Sequence, residues 1–171
     1  MRNEYTMDNK NMIDQLFTRY NKKIFNFVFR LTGDSDQSKD IVQETFIRVY
    51  KILMSGSIIQ NQKAIIFKIA YNLFIDKFRK NKNTINNNSL LEQRQHEILN
   101  PEENYLNTEN RELLTKGIKR MKRKEQILLD LYAENFSYKE MAEIIDMNQN
   151  SVGKTLSRTI DKLFKNVNIG E

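Results

Sequence analysis

The side chains best suited to chemistry gather near the C-terminal end of the chain. Gln149, Asn150, Ser151, Lys154, Thr155 and Arg158 fall in one short stretch. Amides, hydroxyls and cations of this kind hydrogen-bond base edges and phosphates in a DNA major groove. A second set is Asp40, Gln43, Glu44 and Ile47, whose spacing places them on one face of a helix. Acids, an amide and an apolar group on one exposed face can dock on a protein partner. A third lies between Phe67 and Lys80, where rings alternate with bases and Asn72, Asp76 and Arg79 fall near one face. That mixture suits single-stranded nucleic acid, because cations meet phosphates and apolar pockets accept unstacked bases.

Other chemistries find little support. The chain has no cysteine and a single histidine, His96 in a polar stretch, so disulfides, thiol catalysis and His-based metal sites or triads are not expected. Gly153-Lys154-Thr155 resembles the end of a phosphate-binding loop, but Asn148 stands where that loop needs its first glycine and no strand precedes it. On spacing alone the plainer alternatives stay open: a helical hairpin with a solvated face, a solvated acidic face, and rings that belong to a core.

Helices must position all three sets. Ile13, Phe17, Tyr20, Ile24, Phe27 and Leu31 recur at helical spacing from Met12 to Leu31. Gly33 marks the stop, and Asp36 or Ser38 is placed to cap the next helix, whose stripe is Val42, Phe46, Val49 and Leu53. After the loop Met54 to Ser57, Ile66, Ile69, Leu73 and Phe74 predict a third helix that stops after Lys80. Residues 81–110 change in composition, with Asn86-Asn87-Asn88, the only proline (Pro101) and little apolar periodicity; they read as a flexible tether in which Leu90, Leu91, Ile98 and Leu99 could form a short helix. The helical pattern returns at Glu112. Leu113, Leu114 and Ile118 predict one helix, and Ile127, Leu128, Leu131 and Tyr132 another. Ser137-Tyr138-Lys139-Glu140 has capping-box spacing and opens a short helix with Met141, Ala142, Ile144 and Ile145. A break at Asp146-Met147-Asn148 separates it from a last helix with Val152, Leu156, Ile160 and Leu163. A short capped helix, a tight turn and a longer helix make a helix-turn-helix, in which small Ala142 permits close approach while Ile145, Met147 and Val152 fill the gap.

The expected fold is therefore all-α, with two small helical domains at 10–80 and 111–168 joined by a polar linker at 81–110. Composition agrees: five glycines and one proline in 171 residues are too few for a turn-rich β fold. The net charge of +6 suits a polyanionic partner, and residues 1–80 alone carry 14 Lys+Arg against 8 Asp+Glu. No apolar run approaches the roughly 18 residues needed to span a bilayer. The N-terminus lacks the apolar core of a signal peptide, so no membrane insertion and a cytoplasmic location are expected.

The combination of motifs resembles the sigma-70 family. Gly33-Asp34, Asp40 to Phe46, and Ile69-Ala70-Tyr71-Asn72 with Asp76 and Arg79 are similar to its second region. Met121 to Leu163, with Phe136 to Ala142 and Ser151-Val152, is similar to its fourth. The absence of first and third regions resembles the extracytoplasmic-function (ECF) group. The resemblance implies a sigma factor without cofactor, metal or active site, whose partners are core RNA polymerase (the largest-subunit coiled coil and the flap), promoter DNA and an anti-sigma factor. It implies that Asp40, Gln43, Glu44 and Ile47 bind the polymerase. Ile69, Asn72, Asp76, Arg79 and Lys80 would serve the −10 element, with a flipped base near Ile69 and Asn72. Gln149, Asn150, Ser151, Lys154, Thr155 and Arg158 would read the −35 element. The chain departs from the family pattern at Ile65, usually Trp, at Asp146, usually Gly, and at Ser151 to Thr155, where the basic side chains are shifted, so base preference does not carry over.

Two other functions fit part of the sequence. A stand-alone helix-turn-helix regulator would use Ser137 to Leu163 and leave the first domain without a role. A DNA-processing enzyme would need Asp34, Asp36, Asp40, Glu44 or Asp76 to hold Mg²⁺, although acids on solvated helices usually hold none.

Overall fold

The protein is described by a computed structural model covering the backbone of residues 2–84 and 108–168, with side chains at 10–80 and 112–167. Within these residues there are seven helices and no strand: α1 (Arg2–Thr32), α2 (Ser35–Met54), α3 (Gln62–Thr84), α4 (Thr108–Lys119), α5 (Arg123–Ala133), α6 (Tyr138–Ile145) and α7 (Gln149–Asn168). They fall into two units, α1–α3 and α4–α7. Most of the predicted tether, including Leu90, Leu91, Ile98 and Leu99, lies outside the described residues. No helix among the described residues is long and apolar enough to cross a membrane.

In the first unit, α1 ends where Gly33 turns left-handed (φ 66°) and its N–H closes on Phe29 O at 2.8 Å. The cap of α2 is Asp34, not Asp36 or Ser38. Its carboxylate accepts the N–H groups of Asp36 and Gln37, each at 3.0 Å, as an N-cap should. Asp36 instead pairs with Lys39 at 3.1 Å, and buried Ser38 shares a hydrogen bond of 2.7 Å with Thr32. The core joins Leu16, Tyr20, Ile24, Phe27, Val28 and Leu31 of α1 to one face each of α2 and α3. Phe27 meets Phe67 of α3 with ring centroids 5.2 Å apart.

Phe17 corrects the expected stripe. It is 45% exposed, because the adjacent Leu16 holds the core position and the helix turns Phe17 about 100° aside. Two predicted ends also shift. Helix α3 runs past Lys80 to Thr84, and α4 starts at Thr108, before Glu112.

In the second unit α4 packs against α7 at Gly117. A Cβ added there would lie 2.8 Å from Val167 Cγ2, so any larger residue would force α7 side chains to shift. Asn166 Nδ2 donates to Gly117 O at 3.1 Å across the same contact. Gln126 Nε2 donates to Ile118 O and Met121 O, closing the end of α4 onto α5. Leu114 and Tyr132 are exposed, while Ile127, Leu128 and Leu131 make the α5 core face.

Candidate nucleic-acid interface and docking face

The predicted helix-turn-helix is formed by α6 and α7. Ser137 caps α6: Glu140 N–H donates to its hydroxyl at 3.3 Å, while Glu140 Oε2 accepts the Ser137 N–H at 2.7 Å. Asp146 ends α6 in the left-handed region (φ 51°, ψ 60°), and its N–H returns to Ala142 O. Met141, Ala142, Ile144 and Ile145 of α6 and Val152 and Leu156 of α7 are buried on the core side of the two helices. Burial of that side leaves the opposite side of α7 to solvent.

Asn150, Lys154 and Arg158, four residues apart, form one outward row, and all three are exposed. Exposed Gln149 and Ser151 flank the row in the first turn. Half-buried Thr155 turns its hydroxyl back to Ser151 O at 2.7 Å, so that proton is committed within the helix. Asn148 Oδ1 accepts the Asn150 N–H at 2.9 Å and so fixes the start of α7. The result is a row of one amide and two cations on the outward side of α7.

On α3, Asn72, Asp76, Arg79 and Lys80 are exposed and Ile69 is half-buried, all on one side of the helix. The preceding loop carries Ile58, 91% exposed, after Gly56 at φ 77°. The rings of Phe67 and Phe74 belong to the core, so the plain reading holds for them.

On α2, Asp40 and Gln43 are exposed, Glu44 is half-buried and Ile47 is 39% exposed, along one face. Lys77 of α3 reaches Asp40 at 3.4 Å, and Arg48 binds Glu44 at 2.9 Å. With Asp34 on its cap and Asp36 on Lys39, four of the five acids considered for Mg²⁺ already have partners. No three His, Cys, Asp or Glu side chains among the described residues come together as a metal site requires.

Sequence reasoning missed the groove beside this face. Phe17, Phe25, Val42, Gln43, Phe46 and Ile47 line an apolar groove of about 470 Å³ between α1 and α2. Exposed Phe17 meets Phe46 edge to face with centroids 4.9 Å apart. The signal was present: α1 holds more large apolar residues than one face can bury, so some must line a surface.

Residues 16–84 match the family description Sigma-70 region 2, and residues 111–163 match Sigma-70, region 4. The chain is 28% identical over 166 residues to RNA polymerase sigma factor YlaC of Bacillus subtilis, covering 94% of this chain and 95% of that protein. It is 27% identical over 154 residues to the ECF RNA polymerase sigma factor SigM of the same organism, covering 88% and 92%. Its fold is similar to that of the sigma factor RpoE in a co-crystal with the anti-sigma factor NepR from Bartonella quintana. There the TM-score is 0.71 at 19% identity, over 92% of this chain and 98% of that one.

Proposed function

The chain belongs to the sigma-70 family of RNA polymerase sigma factors, in its ECF group, and from that premise we infer how its surfaces divide the work. The carrying observation is that region 2 and region 4 matches stand in order in one chain, with exposed polar faces on α2 and α3 in the first and an outward row on α7 in the second. Residues 10–80 would be the unit for polymerase and the −10 element, and 111–168 the unit for the −35 element. Asp40, Gln43, Glu44 and Ile47, with the groove beside them, dock on core polymerase. The amide and apolar groups give the contact its fit, and the acids steer a basic partner.

Ile69, Asn72, Asp76, Arg79 and Lys80 hold the −10 strand. Strand opening follows from differential affinity: the α3 face and the Ile58 loop bind an unstacked base that closed duplex hides, which draws the equilibrium toward the open form. Gln149, Asn150, Ser151, Lys154, Thr155 and Arg158 read the −35 duplex, with Asn150, Lys154 and Arg158 leading. No covalent step is assigned to any of these groups. An anti-sigma partner, as RpoE has in NepR, belongs to the same proposal.

A stand-alone regulator would not need the first unit, and the region 2 match over 16–84 counts against it. The test mixes the chain with sigma-free core polymerase and genomic DNA fragments and maps transcript starts. Discrete starts that share upstream elements, and that vanish without the chain, are expected. Tight duplex binding with no effect on polymerase would favour the regulator.

A further inference from the structure

Gly153 stands inside α7, where glycine is less favourable than alanine because its backbone loses more freedom on folding. Tyr138, the first residue of α6, occupies the space that a side chain there would take. A Cβ on Gly153 would lie 3.2 Å from Tyr138 Cε2, 3.5 Å from Cδ2 and 3.9 Å from Cζ. The ring therefore rests against the α7 backbone, yet 49% of Tyr138 stays exposed. Asn150 lies one turn before Gly153 on the same side of α7, so it borders the spot that the ring covers. The outward row of α7 is thus widened by an aromatic edge from the other helix.

We propose that Tyr138, seated on Gly153, is a further specificity-determining residue, whose ring makes an apolar contact with a base edge in the major groove. The chemistry that fits is the thymine C5 methyl, the one apolar group displayed there. Asn150, Lys154 and Arg158 supply donors and an acceptor, and Tyr138 supplies the apolar surface that this row lacks. Gly153 acts through Tyr138: without a Cβ it lets the ring settle, and a Cβ there, 3.2 Å from Cε2, would push the ring aside by a few tenths of an ångström. The proposal rests on the −35 reading of α7.

The experiment uses the full chain on core polymerase and a duplex promoter library randomised upstream, with bound DNA sequenced. Tyr138→Ala should lose a preference for thymine of roughly fivefold to tenfold at one position and leave the others unchanged. Tyr138→Phe should keep that preference, because the ring and not the hydroxyl makes the contact. Gly153→Ala should weaken it at the same position, yet add nothing in the Tyr138→Ala background, since the two act as one unit. An equal affinity loss across all sequences would mean a phosphate or purely structural role and would overturn the proposal. An unchanged Tyr138→Ala profile would overturn it too, provided that Lys154→Ala with Arg158→Ala alters upstream selection. If that double variant changes nothing either, the −35 reading falls with it.

Discussion

Gln43 and Glu44 stand next to the apolar groove on the outer face of α2, and neither supports the core. The Glu44–Arg48 pair keeps 41% and 46% of its side chains open to solvent, so it contributes about 0.3–0.5 kcal/mol at most. Gln43→Ala with Glu44→Lys should therefore weaken co-elution with core polymerase while thermal melting hardly moves. Unchanged co-elution would remove these residues from the docking face. Asp146 offers a second test. A left-handed backbone costs a non-glycine residue about 1 kcal/mol, so Asp146→Gly should raise the melting point of the second unit. A lower melting point would show that the aspartate side chain, not its backbone, matters there. The break at Asp146 was legible because a helix of eight residues must end where its apolar pattern stops. The cap at Asp34 was not: three acceptors, Asp34, Asp36 and Ser38, crowd that turn, and only the backbone path decides which one faces the free N–H groups. Phe17 was misplaced for a related reason, since periodicity cannot rank two adjacent apolar residues.

At the scale of elements, the capping box at Ser137 and Glu140 was fully legible because both partners lie within one turn. The link between α5 and α7 was not, because 37 residues separate its ends. Lys162 Nζ donates to Glu125 Oε2 at 2.7 Å and Oε1 at 3.1 Å, and the Lys122 N–H donates to Oε2 at 2.7 Å. Burial alone would raise the Glu125 carboxyl. The hydrogen bonds from Lys162 and the Lys122 backbone, together with both ammonium charges, outweigh it and hold the group below its ordinary value of 4.5. A carboxyl depressed by folding stabilises the fold while ionised, and that contribution is lost as pH falls below 4.5 and through the lowered value. Glu125→Gln should thus be less stable than the parent at neutral pH and lose less on acidification. Unfolding titrations of both proteins between neutral pH and the acid range measure this, and parallel curves would show that the α5–α7 link adds no pH-dependent stability.

For the whole molecule, the proposed function gives one chain two DNA contacts and one polymerase contact. Covalent connection makes the second contact intramolecular once the first has formed, so affinity rises without any new surface. This organisation was legible because three motifs in a fixed order constrain far more than any one of them. Asn72, exposed on α3, is assigned to an unstacked base, so Asn72→Ala should impair transcription from a closed duplex promoter while duplex capture through α7 persists. Lys154 and Arg158, exposed on α7, are assigned to duplex. Loss of a base contact costs about 1–3 kcal/mol at one position, whereas loss of a phosphate contact weakens all sequences and lowers the salt slope. Lys154→Ala with Arg158→Ala should therefore weaken capture of the closed promoter and spare a template whose −10 strands are already apart. On that pre-melted template the opening step no longer limits, yet the strand contact of Asn72 still does, so its variant should recover only in part. Transcription from duplex and pre-melted templates with each variant separates the two roles. Equal losses by both variants on both templates would mean that capture and opening do not reside in different units.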